Sequence, residues 1–253
     1  MLRDVTVERQ ELHRAAQMQM QMQMQMQMQM QMQMSLLPTE VPQLPDYELA
    51  AHFVPAGSVG GDFYDWYGVD DGLVLTLADV MGKGPGAAIL AATTRSLLRA
   101  HGDTADVASP MAAAEQGMAR DLDNTNAFVT MCRAHLHAPT GTLTYSDAGH
   151  GLAAVVTEAG VVRRLRANGL PLGISVEDQR SSETEMLEPG DVLLVLSDGV
   201  LDEMGGALED LAPVWESAAR SQSASDAVSG AVALASQGEI DDALTVLALK
   251  RLH

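Results

Sequence analysis

The chain has 253 residues and a formal net charge of −19 at pH 7, with 47% hydrophobic and 19% charged residues. This length allows one domain or two small ones, and the composition is that of an ordinary globular protein. The negative charge argues against a nucleic-acid partner, because proteins bind the phosphate backbone through clustered Lys and Arg. The short basic cluster Arg163-Arg164-Arg166 is explained more simply as the solvated end of a strand.

Cysteine content and hydropathy predict the compartment. The single cysteine, Cys132, allows no intrachain disulfide and lies in an apolar run, which favours an inert core thiol in a reducing cytoplasm. No apolar run approaches the roughly 18 residues of a membrane span, and no signal-peptide pattern opens the chain. We therefore expect a soluble, cytoplasmic protein with no membrane contact.

Residues 1–45 are predicted to be a segment separate from a globular domain over 46–253. A weakly amphipathic stretch leads into nine consecutive Gln-Met pairs, Gln17 to Met34. Gln and Met both favour helix, but a period of two spreads Met over all sides of a helix and would place it on one face of a strand. Helix, disorder and self-association therefore remain open, and a homodimer through this arm is a hypothesis. Pro38, Pro42 and Pro45 end any helix and mark a linker.

From Tyr47 the pattern becomes rich in strands. Strands are predicted over 47–54, 62–69, 73–79, 128–136, 142–146, 153–157, 161–165, 182–187, 192–196 and 243–249, and helices over 85–100, 107–122, 208–220 and 224–236. The strands come as hairpins, with helices inserted in pairs, which favours antiparallel sheets with helices on their outer faces. The fold class is α+β.

Aspartates recur where predicted strands begin or end, beside glycine. They are Asp62, Asp79, Asp198 and the pair Asp241-Asp242. Asp and Gly dominate turns in general, so each position alone is explained by turn formation. The set is harder to explain in that way, because converging carboxylates with backbone carbonyls form the oxygen sites that Mg²⁺ and Mn²⁺ prefer. No His/Cys cluster has the spacing of a zinc site.

The chain from about Ser35 to Lys250 resembles the bacterial SpoIIE/RsbU-type serine phosphatases of the metal-dependent PPM (PP2C-like) superfamily. The segments that carry the resemblance occur in family order: SLLP at 35–38, PA at 55–56, GGDFYD at 60–65, ADVMGKG at 78–84, AGH at 148–150, GLPLG at 169–173, LSDG at 196–199 and DD at 241–242. The resemblance implies a four-layer α-β-β-α sandwich, two antiparallel sheets flanked by helices, with a two-metal centre of Mn²⁺ or Mg²⁺ at one end.

The resemblance also implies a role for each matching residue. Asp79 would bridge both ions and Val80 would supply a backbone carbonyl, while Asp62 would act on one ion directly or through water. Asp198 and Asp241 would complete the coordination, with Asp242 as the alternative to Asp241. His150 is expected to be structural. Asp79, Asp62 and Asp198 are thus the candidate catalytic residues.

The function implied is hydrolysis of phosphoserine by a metal-activated water, on a STAS-type anti-anti-sigma protein. The SLLP segment normally follows a regulatory helix in the family, and here the Gln-Met tract occupies that helix position. One departure concerns Met81, which stands where eukaryotic members of the superfamily have a histidine, so the leaving-group proton must come from elsewhere. The alternative is a non-catalytic module of the same fold that binds a phosphoprotein.

Overall fold

In the described part of the chain, ten strands form two antiparallel five-stranded sheets. The structure is a computed structural model that describes all residues except 1, 56–58, 103–104, 167–168, 176–179, 239 and 241, and leaves out the side chains of 2–8, 10, 29, 32 and 36 in the first helix. The first sheet contains, in spatial order, β2 (Phe63–Val69), β3 (Gly72–Val80), β4 (Val129–His137), β5 (Thr142–Ala148) and β8 (Glu183–Met186). The second contains β1 (Tyr47–Val54), β10 (Leu244–Arg251), β9 (Val192–Leu196), β6 (Ala153–Val156) and β7 (Val162–Leu165).

The central strands of the second sheet are apolar on both faces, because each face is covered. In β9, Leu193 and Val195 belong to the core between the two sheets, whereas Leu194 and Leu196 belong to a second core beneath the helices. Side chains alternate between the faces of a strand, so an unbroken apolar run is what a strand between two cores requires.

Helices cover the outer face of each sheet. On the first sheet lie α2 (Pro85–Ala100) and α3 (Ala108–Thr125). On the second lie α4 (Asp198–Met204), α5 (Ala212–Ala219) and α6 (Ala224–Ala235). The expected four-layer α-β-β-α sandwich of class α+β is confirmed. The thiol of Cys132 is completely buried between the layers, and burial raises its pKa well above the ordinary value.

The region after β9 differs from the prediction. Instead of one helix over 208–220, a short 3-10 turn, Leu208–Leu211, is followed by α5, and the unpredicted α4 begins at Asp198. Pro213 explains the break: proline has no backbone N–H and is tolerated in the first turn of a helix but not in its interior. The helix therefore starts anew at this proline.

The N-terminal segment forms one continuous helix, α1 (Leu2–Leu36), which includes the whole Gln-Met tract. Most of its described methionines are exposed: Met18, Met20, Met22, Met24 and Met28 each retain 62–64% of their accessible surface, whereas Met30 is half-buried. Beyond α1, Leu37 is buried and the indole N–H of Trp66 donates to the Glu40 carbonyl at 2.6 Å. The linker is therefore held against the domain.

Among the described residues, the structure contains no helix with the length and apolarity needed to cross a membrane.

Candidate metal centre

The hairpin formed by β2 and β3 brings the first two aspartates together. Asp62 precedes β2 and Asp79 is the penultimate residue of β3; Phe63 pairs with Ala78, so the two aspartates lie at the same end of the hairpin. Gly61 allows this close approach, because a Cβ at that position would lie 2.2 Å from the Val80 carbonyl oxygen. Glycine is the residue that permits such backbone contact.

The third aspartate comes from the other sheet. Asp198 is the first residue of α4, directly after β9 and Ser197. One carboxylate oxygen from each of Asp62, Asp79 and Asp198 can be chosen so that all three lie within 4.8 Å of one another. Residues more than a hundred positions apart in sequence thus meet at one end of the sandwich, between the two sheets.

Two hydroxyl side chains connect the second sheet to this cluster. The hydroxyl of Thr245, in β10, donates to Oδ2 of Asp62 at 2.6 Å. Ser197 donates from Oγ to the Ala243 carbonyl at 3.1 Å and accepts from the Thr245 backbone N–H at 2.9 Å. The orientation of Asp62 therefore depends on the second sheet as well as on its own hairpin.

The carboxyl groups are perturbed as expected for buried like charges. Burial, and then the neighbouring Asp79, raises the pKa of Asp62 well above its ordinary value, while the Thr245 hydrogen bond opposes the shift. Burial also raises the pKa of Asp79 to about 6, assisted by the charge of Asp198. The pKa of Asp198 is raised by burial and by Asp242.

This donor set fits a hard divalent cation. Carboxylate oxygens are the ligands that Mg²⁺ and Mn²⁺ prefer, and a cation placed among them would offset the mutual repulsion that raises their pKa values. The cluster lines a cleft of about 320 Å³ that is open to solvent, so a phosphate ester has access to it.

The remaining predicted ligands are distributed around the same cleft. Asp242 lines it and forms an ion pair with Lys83, whose Nζ lies 3.0 Å from Asp242 Oδ2. Asp241 lies outside the described residues. Val80 is buried, and its carbonyl faces Gly61. The structure therefore brings Asp62, Asp79 and Asp198 together and leaves Asp242 beside them in an ion pair.

His150 and Met81 also line the cleft. Burial lowers the pKa of His150 to about 4, and its Nε2 has no hydrogen-bond partner among the described residues. The imidazole is therefore neutral at pH 7 and is no proton donor there. Met81, 41% exposed, has no proton to give, so neither side chain protonates a leaving group.

Sequence reasoning missed three residues that support the cluster. Thr245 left a signal, since it is a lone hydroxyl within an apolar strand that is buried on both faces. Ser197 lies in a recognised segment, but its side chain was given no role. Gln33, whose side-chain amide hydrogen-bonds the backbone of Gly60 and Asp62, left no signal, because eight identical Gln-Met pairs precede it.

Comparison with known proteins identifies relatives of the chain. Residues 69–252, more than half of the chain, match the family profile described as Stage II sporulation protein E (SpoIIE). Protein IcfG of Synechocystis is 29% identical in an alignment of 196 positions that covers 66% of this chain and 31% of that protein. Phosphoserine phosphatase RsbU of Bacillus subtilis is 28% identical over 169 residues, 66% of this chain and 50% of that protein. The chain thus spans half or less of the length of these curated relatives.

Solved structures share the fold. The RsbU and RsbW domains of Rv1364c from Mycobacterium tuberculosis superimpose with a TM-score of 0.72 at 26% identity, covering 86% of this chain and 63% of that one. The SiaA-PP2C domain of Pseudomonas aeruginosa gives a TM-score of 0.77 at 19% identity, covering 92% and 98%. The catalytic domain of the phosphatase PstP, solved with two manganese ions, gives 0.62 at 16% identity, covering 82% and 99%.

Proposed function

Since the chain belongs to the SpoIIE family, we propose that it is a metal-dependent protein serine/threonine phosphatase, a phosphoric monoester hydrolase. The observation that supports this activity is the convergence of three buried carboxylates from two sheets at the floor of an open cleft. In this proposal the phosphatase domain comprises residues 46–253, and residues 1–45 form a separate N-terminal segment.

The proposed cofactor is a pair of Mn²⁺ or Mg²⁺ ions. Asp79 would contribute to the binding of both ions, and the Val80 carbonyl and Asp62, directly or through water, would hold one of them. Asp198 with Asp241 or Asp242 would hold the other. When bound, two such ions lower the pKa of a shared water and offset charge on the phosphoryl oxygens. Thr245 orients Asp62 and favours its charged form, since it donates to the carboxylate. Because His150 is neutral and Met81 has no proton, the leaving group takes its proton from water or from another group of the cleft.

The proposed substrate is a phosphoserine on a regulatory protein, a STAS-type anti-anti-sigma factor. A cleft that is open to solvent and lined by Lys83 beside the carboxylates suits a phosphoserine presented on a protein surface. A homodimer through α1 is part of the proposal, because the exposed methionines from Met18 to Met28 offer apolar surface to a second copy. Sedimentation of the full chain and of a variant lacking residues 17–34 tests this part: the full chain is expected to sediment as a dimer, and unchanged sedimentation would reject it.

Hydrolysis of a phosphoserine peptide and of p-nitrophenyl phosphate, with Mn²⁺ and with EDTA, tests the activity. We expect hydrolysis by the wild type only with metal, and a loss of at least a hundredfold in Asp79→Asn. The control is Asp121→Asn, which changes an exposed aspartate on α3 outside the cleft. A wild type as inactive as Asp79→Asn with Mn²⁺ present would instead indicate a non-catalytic phosphoprotein-binding module.

A further inference from the structure

The last glutamine of the Gln-Met tract is buried, unlike its counterparts. Gln33 retains 5% of its accessible surface, whereas every other tract glutamine whose side chain is described is exposed. A buried amide must satisfy its donors and its acceptor to avoid a desolvation cost. The hydrogen-bond partners of the Gln33 amide therefore indicate what this side chain does.

All three hydrogen bonds of the Gln33 amide go to the backbone of the turn that carries Asp62. Its Oε1 accepts from the Gly60 N–H at 3.0 Å. Its Nε2 donates to the Gly60 carbonyl at 3.2 Å and to the Asp62 carbonyl at 3.1 Å. Both N–H groups and the carbonyl of the amide are thereby used, and they hold the backbone on both sides of Gly61.

The turn is confined from the opposite side as well. Gly61 lies against the Val80 carbonyl so closely that no Cβ fits between them, and the Val80 N–H donates to the Gly61 carbonyl at 3.4 Å. The turn that presents Asp62 is therefore held between the end of β3 and the Gln33 amide. If Gln33 were displaced, the turn would keep its contact with the end of β3 but would lose its hydrogen bonds to α1.

We propose that Gln33 is a positioning residue of the metal centre, whose amide fixes the Gly60–Asp62 turn so that Asp62 faces Asp79 and Asp198. The inference rests on the proposed function for the identity of the ligand. It makes the end of α1 a structural part of the metal site, although α1 contributes no ligand. The same contact would also anchor α1, so the experiment must separate anchoring from positioning.

The tract itself supplies a matched pair of variants. Gln33→Met removes all three hydrogen bonds, and Gln31→Met makes the same change at an exposed position two residues earlier; Gln and Met have similar helix propensity. Gln33→Glu keeps the shape and the acceptor for Gly60 N–H but places a carboxylate oxygen against two carbonyls. Circular dichroism and thermal unfolding in EDTA check that each variant folds.

Calorimetric titration with Mn²⁺, without substrate, gives the decisive readout. We expect Gln33→Met and Gln33→Glu to weaken Mn²⁺ binding about tenfold, the effect of losing one or two net hydrogen bonds, and Gln31→Met to match the wild type. The Mn²⁺ concentration for half-maximal hydrolysis should rise equally, with kcat at saturating Mn²⁺ changed less than twofold.

Wild-type Mn²⁺ affinity in folded Gln33→Met and Gln33→Glu would overturn the inference and leave Gln33 as an anchor of α1 only. That outcome leaves the proposed phosphatase activity intact. A wild type that binds no Mn²⁺ would overturn both proposals, so the two failures are distinguishable.

Discussion

Thr245 and Asp62 are joined by a 2.6 Å hydrogen bond, although 183 positions separate them in the sequence. Thr245 lies in β10 of one sheet, and Asp62 begins the hairpin of the other. The bond connects the two sheets at the carboxylate where a cation is expected. It also favours the charged form of Asp62 against the effect of burial.

Thr245→Val should weaken Mn²⁺ binding while leaving the fold intact. Valine has nearly the same shape, but without the hydroxyl the pKa of Asp62 rises further and protons compete more strongly with the ion. A hydrogen bond to a charged group contributes about 1.5–3 kcal/mol, which corresponds to a loss of about tenfold or more in affinity. Calorimetry measures the effect. Thr184→Val, at an exposed position of β8, is the control, and equal affinities of the two variants would contradict the role of Thr245.

Asp79→Asn should stabilise the metal-free protein at pH 7.5. The folded state holds Asp79 with a pKa of about 6 against an ordinary value of 3.8, so between these pH values it binds more protons than the unfolded chain. Stability therefore falls as the pH rises through this window, and at pH 7.5 the whole cost is present. Removing the charge should return about 1–3 kcal/mol, seen as a higher Tm in EDTA. Mn²⁺ should raise the Tm of the wild type and not that of the variant. A lower Tm of Asp79→Asn in EDTA would refute this account.

Binding of Mn²⁺ should release protons and weaken at low pH. The pKa of Asp79 is about 6 and that of Asp62 is also raised, so both carboxyls must lose any bound proton before they bind a cation. Below pH 6 the apparent Kd should rise by about tenfold per pH unit for each proton displaced. Calorimetry at pH 6 in two buffers of different ionisation enthalpy counts the protons released. A binding enthalpy that is the same in both buffers would show that none is displaced.

Gly61→Ala should disrupt the centre, and Gly68→Ala should not. A Cβ at Gly61 would lie 2.2 Å from the Val80 carbonyl oxygen, whereas a Cβ at Gly68 in β2 meets nothing within 4 Å. The first substitution forces the turn and the end of β3 apart, at a cost of about 1–3 kcal/mol. Urea unfolding measures this cost, and Mn²⁺ titration should show binding lost only in Gly61→Ala. Normal Mn²⁺ binding by Gly61→Ala would mean that the close contact with Val80 is dispensable.

The sandwich was predictable because its signals are local and consistent. The unbroken apolar run of β9 indicates a strand covered on both faces, and the turn signal Asp70-Asp71-Gly72 indicates the hairpin that presents Asp62 and Asp79. In the structure Asp70 and Asp71 form the loop and Gly72 begins β3. That hairpin alone places two carboxylates side by side. The contribution of Asp198 followed from a resemblance, since no local signal states which strand ends meet across two sheets.

Two features were beyond local reasoning. Asp198-Gly199 has the pattern of a turn and is instead the start of α4, directly after Ser197, which long-range hydrogen bonds connect to Ala243 and Thr245. Gln33 is chemically identical to its neighbours in the tract. Only the direction that α1 takes into the domain distinguishes it from Gln31.

The repeat that ends at Gln33 has a further consequence for α1. Because the repeating unit is two residues, inserting or removing one Gln-Met pair always leaves glutamine at the position that reaches Gly60 and Asp62. Each such change moves the preceding helix by about 3 Å along its axis and turns it by about 200°. The tract can therefore vary in length without altering its contact with the domain, while each added or removed pair rotates the helix that precedes the tract relative to the domain.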